Sequence, residues 1–203
     1  MSRPGRPFPK MTAVEIEVAV ANSFGIRHNL VVPNVSWGLF RDGHEADLVV
    51  LHDSGYADEV EIKVSSADIK KDLTKRHHAH KERGCRHIRR LFFAVPAWLA
   101  DDPNIPVNAG ILTVTPGSRR VVTVRVPTVN RNAVRFDDCM RYTLARLGCL
   151  RIWTFKQREK RRIAETRRDA EDARSWRLHV RAAERNSKRY GVPLSVCLGE
   201  NGH

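Results

Sequence analysis

The chain has 203 residues, 41% of them hydrophobic, which is enough for one sizeable core and an appended segment but short for two full domains. A formal net charge of +13 and a pI near 10.3 set up a positive field that favours a polyanionic partner, either nucleic acid or an anionic membrane surface. No apolar run approaches transmembrane length, the Pro- and Arg-rich start lacks the apolar stretch of a secretory signal, and Cys85, Cys139, Cys149 and Cys197 form no CxxC pair; these features exclude a disulfide framework and a four-cysteine zinc site, and predict a cytoplasmic protein with reduced, buried or inert cysteines.

After an arm over residues 1–11, Thr12 is placed to cap a helix running to about Phe24. Val14, Val18, Ala21 and Phe24 are spaced as its apolar face, Glu17 falls inside that stripe, Glu15 lies toward its edge, and Gly25 ends it. Apolar, β-branched runs follow at Leu30–Val35, Ala46–Leu51 and Glu59–Ser65, the last two separated by His52-Asp53-Ser54-Gly55-Tyr56 and therefore read as a hairpin. Ser65-Ser66-Ala67-Asp68 has the form of a capping box, which predicts a second helix to about Glu82.

A fourth strand, Arg90–Val95, is closed by Pro96, and two more alternating runs, Ile111–Thr115 and Val121–Val126, flank a Pro116-Gly117 turn. From Asp137 a helical pattern carrying Met140, Leu144 and Leu147 continues past Trp153 into an Arg- and Lys-rich stretch, Lys156 to about Arg189. The expected organisation is a mixed sheet bracketed by helices over residues 12–153 and a basic helical extension over residues 154–203. Acids interspersed in the extension suit an ordinary exposed helix, while its surplus of arginine suits a nucleic-acid or oligomerisation arm. Its sparse apolar residues (Trp153, Phe155, Ile163, Trp176, Val180) predict fraying without a partner.

In EVEIKVS, Val60, Ile62 and Val64 share one face of a strand, so Glu59, Glu61 and Lys63 share the other. In EADLVVL, Glu45 and Asp47 fall on one parity, and a hairpin centred near Ser54-Gly55 brings Asp47 roughly opposite Glu61. Like charges on a mostly apolar sheet are costly unless neutralised, and a hard divalent cation with oxygen ligands does this; Mg²⁺ is the economical choice, with Mn²⁺ as substitute. Held by Asp47, Glu61 and the backbone carbonyl of Ile62, such an ion would polarise a phosphate and acidify a water, with Lys63 stabilising the developing negative charge. Glu17 has two readings: a third carboxylate reaching the metal through a water, or a rim glutamate with a packed stem and a solvated head.

An acid on the first helix, Asp in the second strand and E-x-K in the third resemble the PD-(D/E)xK nuclease superfamily. The wider run HEADLVVL, EVEIKVSSADIKKDLTK and RRLFFAVP is similar to its MmcB-like DNA-repair branch. The resemblance covers roughly residues 12–100 and departs from the pattern in having Ala46, not Pro, before Asp47. It implies a restriction-endonuclease-like αβββαβ core, with additional strands here, and Mg²⁺-dependent hydrolysis of phosphodiester bonds in DNA. Glu17, Asp47, Glu61 and Lys63 would be the helix-one acid, the metal-binding Asp, the second ligand and the catalytic lysine. DNA repair, phage defence or phage replication would be the setting.

Other residues carry weaker expectations. Lys70, Lys71, Lys75 and Arg76 either contact DNA phosphates beside the site or form a solvated face laced with Asp68–Lys71 and Asp72–Arg76 pairs. His77, His78, His80, Cys85 and His87 match no zinc-finger spacing and read as exposed helix-end groups. Trp37, Phe92, Phe93 and Trp98 read as core rather than base-stacking aromatics. Three alternatives stand beside the nuclease: a solvent-facing sheet edge on which Glu61 and Lys63 are ordinary surface charges, a catalytically silent DNA-binding module of the same fold, and a basic RNA- or ribosome-associated protein. No membrane association is expected, and a homodimer suits a nuclease cutting both strands.

Overall fold

The computed structural model describes residues 10–36, 39, 45–73, 86–117 and 120–198, with the side chains of Asp72, Leu73 and Cys197 left aside. Trp37, Lys75, Arg76, His77, His78, His80 and Cys85 lie outside the described residues.

Helix α1 spans Ala13–Ser23. Its N-cap is reciprocal: Glu15 N donates to Thr12 Oγ1 (3.3 Å) and Thr12 N donates to Glu15 Oε2 (2.8 Å), so two otherwise orphan amides are satisfied. Gly25, at φ +72°, turns the chain out of the helix. The buried stripe is Ile16, Ala19 and Val20, not the expected one, and Val14 and Val18 are exposed. Both stripes are apolar at helical spacing, so periodicity could not choose between them; the sheet takes the one carrying the isoleucine.

Strands β1 (Leu30–Val35), β2 (Ala46–Leu51) and β3 (Ala57–Ile62) form an antiparallel meander. Helix α2 (Ser66–Leu73) follows, then β4 (Ile88–Pro96), a 3₁₀ turn over Ala97–Leu99, β5 (Gly110–Val114) and β6 (Val121–Arg125). The spatial order is β1-β2-β3-β4-β5-β6, with β3–β4 and β4–β5 parallel and β5–β6 antiparallel. The β2–β3 turn closes where expected, with His52 N donating to Tyr56 O (3.0 Å) and Gly55 at φ +82°. Asp68 N donates to Ser65 Oγ (3.2 Å), so Ser65 caps α2. The stretch expected to carry that helix on from residue 74 to residue 82 lies outside the described residues.

Both faces of the sheet are covered, which explains why β2 and β4 read as near-continuous apolar runs. On one face Ile16, Ala19 and Val20 of α1 pack on Leu48, Val50, Val60, Ile62, Phe92 and Leu112. On the other, Ile69 of α2 packs with Phe93, Val95 and Ile111, while Leu144 and Phe136 pack with Val49, Leu51 and Ala57. Phe92 and Phe93 are thus core residues of opposite faces, and Trp98 is half-buried.

Helix α3 runs unbroken from Asp138 to Tyr190, followed by a short helix α4 at Leu194–Cys197. The chain divides into two compact units after Arg151. The helix persists through the segment expected to fray, because no Gly or Pro interrupts it between Gly148 and Gly191 and its composition is rich in strong helix formers. Trp153, Phe155, Ile163 and Trp176 lie exposed along it. Cys139 and Cys149 are free and exposed, so of the two expected settings, buried or inert, burial does not hold for them. Among the described residues no helix is long and apolar enough to cross a membrane.

Candidate active site

The β2–β3 ladder pairs Leu48 with Val60, so Asp47 and Glu61 each lie one residue further along, side by side at the end of the hairpin away from its turn. Here β1 is irregular: its pairing with β2 steps from Pro33↔Leu48 to Val35↔Ala46, with Asn34 between them at φ +50°. Beyond Ile62, Lys63 N still donates to Ala94 O (3.0 Å), which holds the lysine backbone against β4.

The three predicted side chains meet. Lys63 Nζ donates to Glu61 Oε2 at 2.5 Å and to Asp47 Oδ2 at 3.3 Å, and that same Asp47 oxygen accepts from Ile62 N at 2.8 Å. Glu59, Glu61 and Lys63 are only 5%, 1% and 5% exposed. That burial excludes the reading of Glu61 and Lys63 as surface charges on a solvated edge, since β3 is a central strand covered on both sides.

Burial of this much charge has electrostatic consequences. Glu61 is pushed up to about 8, first by removal from water and then by the nearby charges of Asp47 and Glu59, with Lys63 pulling it back. Its Oε1 is buried with no hydrogen-bond partner. Glu17, half-buried on α1, is also raised, by burial first and then by the charge of Asp47, which puts it within electrostatic reach of the cluster. Its place beside the buried stripe accounts for this better than the stripe expected from the sequence. Glu15 is instead committed to the helix cap.

Among the described residues no three His, Cys, Asp or Glu side chains come together as a ready-made metal cluster. The donor set present is two carboxylates and backbone carbonyl, all hard oxygen. The orphan Glu61 oxygen marks where a cation would relieve a buried charge. This fits Mg²⁺, which commonly takes one or two protein carboxylates and fills its remaining positions with water and phosphate. Lys70 and Lys71 are exposed on α2, the helix that follows the site strand, and Lys75 and Arg76 lie outside the described residues.

Glu59, which parity places on the same face as Glu61, is buried with it, and alternation alone did not show that burial. One arrangement was not legible in the sequence. Asp58, fully buried near the other end of β3, accepts from Arg90 Nε (3.0 Å) and lies 2.8 Å from His52 Nε2. Arg90 is its partner because β4 runs parallel to β3 in a register that sequence does not reveal.

No protein-family model and no curated protein matches the chain. The structure is similar to that of the SPO1766 protein of unknown function from Silicibacter pomeroyi, at a TM-score of 0.50 and 18% identity, covering 74% of this chain and 90% of that one. At that identity the likeness is one of fold: an α/β architecture on a mixed sheet.

Proposed function

We propose that the protein is a divalent-metal-dependent DNA nuclease of the PD-(D/E)xK kind. The observation that carries this is the buried bridge of Lys63 Nζ between Asp47 Oδ2 and Glu61 Oε2, beside a Glu61 oxygen that has no partner. Burying the Glu61 carboxyl and the Lys63 ammonium beside the partly exposed Asp47 carboxylate costs desolvation, an arrangement more readily explained by chemistry than by stability. The succession α1-β1-β2-β3-α2-β4, with β1 to β3 antiparallel and β4 parallel to β3, supports the restriction-endonuclease-like αβββαβ core expected from the resemblance.

Asp47, Glu61 and the Ile62 carbonyl would hold Mg²⁺ or Mn²⁺, with Glu17 contributing through a water. The ion supplies phosphate polarisation and a more acidic water when bound. The residues themselves do the rest. Ile62 N fixes the rotamer of Asp47, and Lys63 places a positive charge where negative charge develops on the phosphate oxygens. The net charge of +13 supplies attraction for the DNA backbone. The MmcB-like resemblance favours a setting in DNA repair.

The test is cleavage of a panel of DNA and RNA forms with and without Mg²⁺ or Mn²⁺. Metal-dependent DNA cutting that disappears in Asp47→Ala and Lys63→Ala, with circular dichroism unchanged, is the expected result. Undiminished cutting by folded Lys63→Ala removes the lysine from the mechanism; tight DNA binding with no cutting under any metal favours the silent module instead.

A further inference from the structure

The end of β3 opposite the candidate active site gathers arginines around one tyrosine. The β2–β3 turn, the start of β4 and the segment before α3 converge there: Phe136 N donates to Gly55 O (2.9 Å), Val134 N to Arg86 O (2.8 Å) and Asn130 N to Arg89 O (2.9 Å). The Arg89 guanidinium lies 4.4 Å from the centre of the Tyr56 ring and that of Arg135 lies 5.2 Å from it. Arg141 closes the group: its Nε donates to Phe136 O (3.2 Å), and a Cβ added at Gly55 would fall 2.6 Å from its Nη2 and 3.5 Å from Arg135 Cβ. Glycine at position 55 is required by its φ of +82°, and the arginine side chains lie close over it.

The buried acid of this region, Asp58, is already engaged by Arg90 and His52. Arg89, Arg135 and Arg141 have no carboxylate ion-pair partner among the described residues. Two like-charged guanidinium groups within 5.2 Å of one ring centre repel each other, a cost that a bound polyanion relieves. Planar, preoriented forks suit the two oxygens of a phosphate better than a diffuse anionic surface does.

We infer that Tyr56, Arg89, Arg135 and Arg141 form a second, non-catalytic phosphate-binding surface that takes the DNA backbone. The inference rests on DNA as the partner but not on cleavage. Tyr56 and Lys63 are seven residues apart along one extended segment, roughly 23 Å at the usual strand rise, so the surface is separate from the carboxylate site.

The test is DNA binding by the full chain, followed by fluorescence anisotropy of a labelled 20-base-pair duplex in EDTA across a salt series, so that failure of the nuclease proposal leaves the readout intact. Arg89→Ala/Arg135→Ala should weaken binding roughly tenfold at low salt and lower the slope of log K against log salt by about 1.8. Arg135→Lys should keep the slope and lose part of the affinity, because it retains the charge without the planar stack. Wild-type affinity and slope in the folded double variant would overturn the proposal. So would unchanged DNA binding accompanied by lost binding to phosphatidylserine vesicles, or lost binding to RNA alone.

Discussion

Replacing Glu61 with glutamine should stabilise the metal-free protein at alkaline pH. The unfolded chain binds a proton at Glu61 near 4.5 and the folded chain at about 8, so between those values the native state holds more protons and stability falls as pH rises. The penalty is absent below about pH 4.5, complete above about pH 8, and amounts to at most about 5 kcal/mol at 1.36 kcal/mol per pH unit. Glutamine removes the charge, while its carbonyl can still accept from Lys63 Nζ. The attraction of Lys63 is already contained in that shift, so the gain approaches the same ceiling at pH 9 and is small at pH 4.5. Urea unfolding in EDTA at pH 4.5, 7 and 9 measures this directly. Mg²⁺ should raise wild-type stability at pH 9 more than that of the Glu61→Gln variant, which keeps the Asp47 carboxylate but loses the buried charge at Glu61. A variant whose stability falls with pH as steeply as the wild type would show that the buried carboxyl is not the source of the effect.

Two further substitutions probe the scaffold. Asp58→Ala should cost about 1–3 kcal/mol in urea unfolding, because it removes the acceptor shared by Arg90 and His52, both of which water still reaches; a loss well below about 1 kcal/mol would mean that the network contributes little. Gly110→Ala should destabilise by about 1–3 kcal/mol, since its Cβ would fall 2.6 Å from Phe92 Cδ1 and 2.8 Å from Pro127 Cδ; thermal melting that is unchanged would show that Phe92 moves aside freely.

The meander was readable because each of its cues is local. An apolar run marked β2 and alternation marked β3, the Ser54-Gly55 turn set how they pair, and that pairing brings Asp47 alongside Glu61. Thr12 and Ser65 likewise announced their helices through side chains that bond within a single turn. Parity also put Glu59, Glu61 and Lys63 on one face. It said nothing about whether that face met water or protein.

That question was decided by what packs over the sheet. Burial of Glu61 and Lys63 depends on β4 lying beside β3 and on helices closing both faces, contacts between segments far apart in the chain. The inward side of α1 is a similar case: two apolar stripes were available, and only docking on the sheet chose Ile16, Ala19 and Val20. Asp58 with Arg90, and Tyr56 with Arg89 and Arg135, join residues brought together by parallel register and by backbone bonds from the segment before α3. The sequence by itself determined the elements, the hairpin and the identity of the charged cluster, because hydrogen bonds and side-chain alternation within a few residues suffice for those. Tertiary structure alone decided which charges are shielded from water and which arginines meet, because desolvation and packing depend on every element that closes over a site.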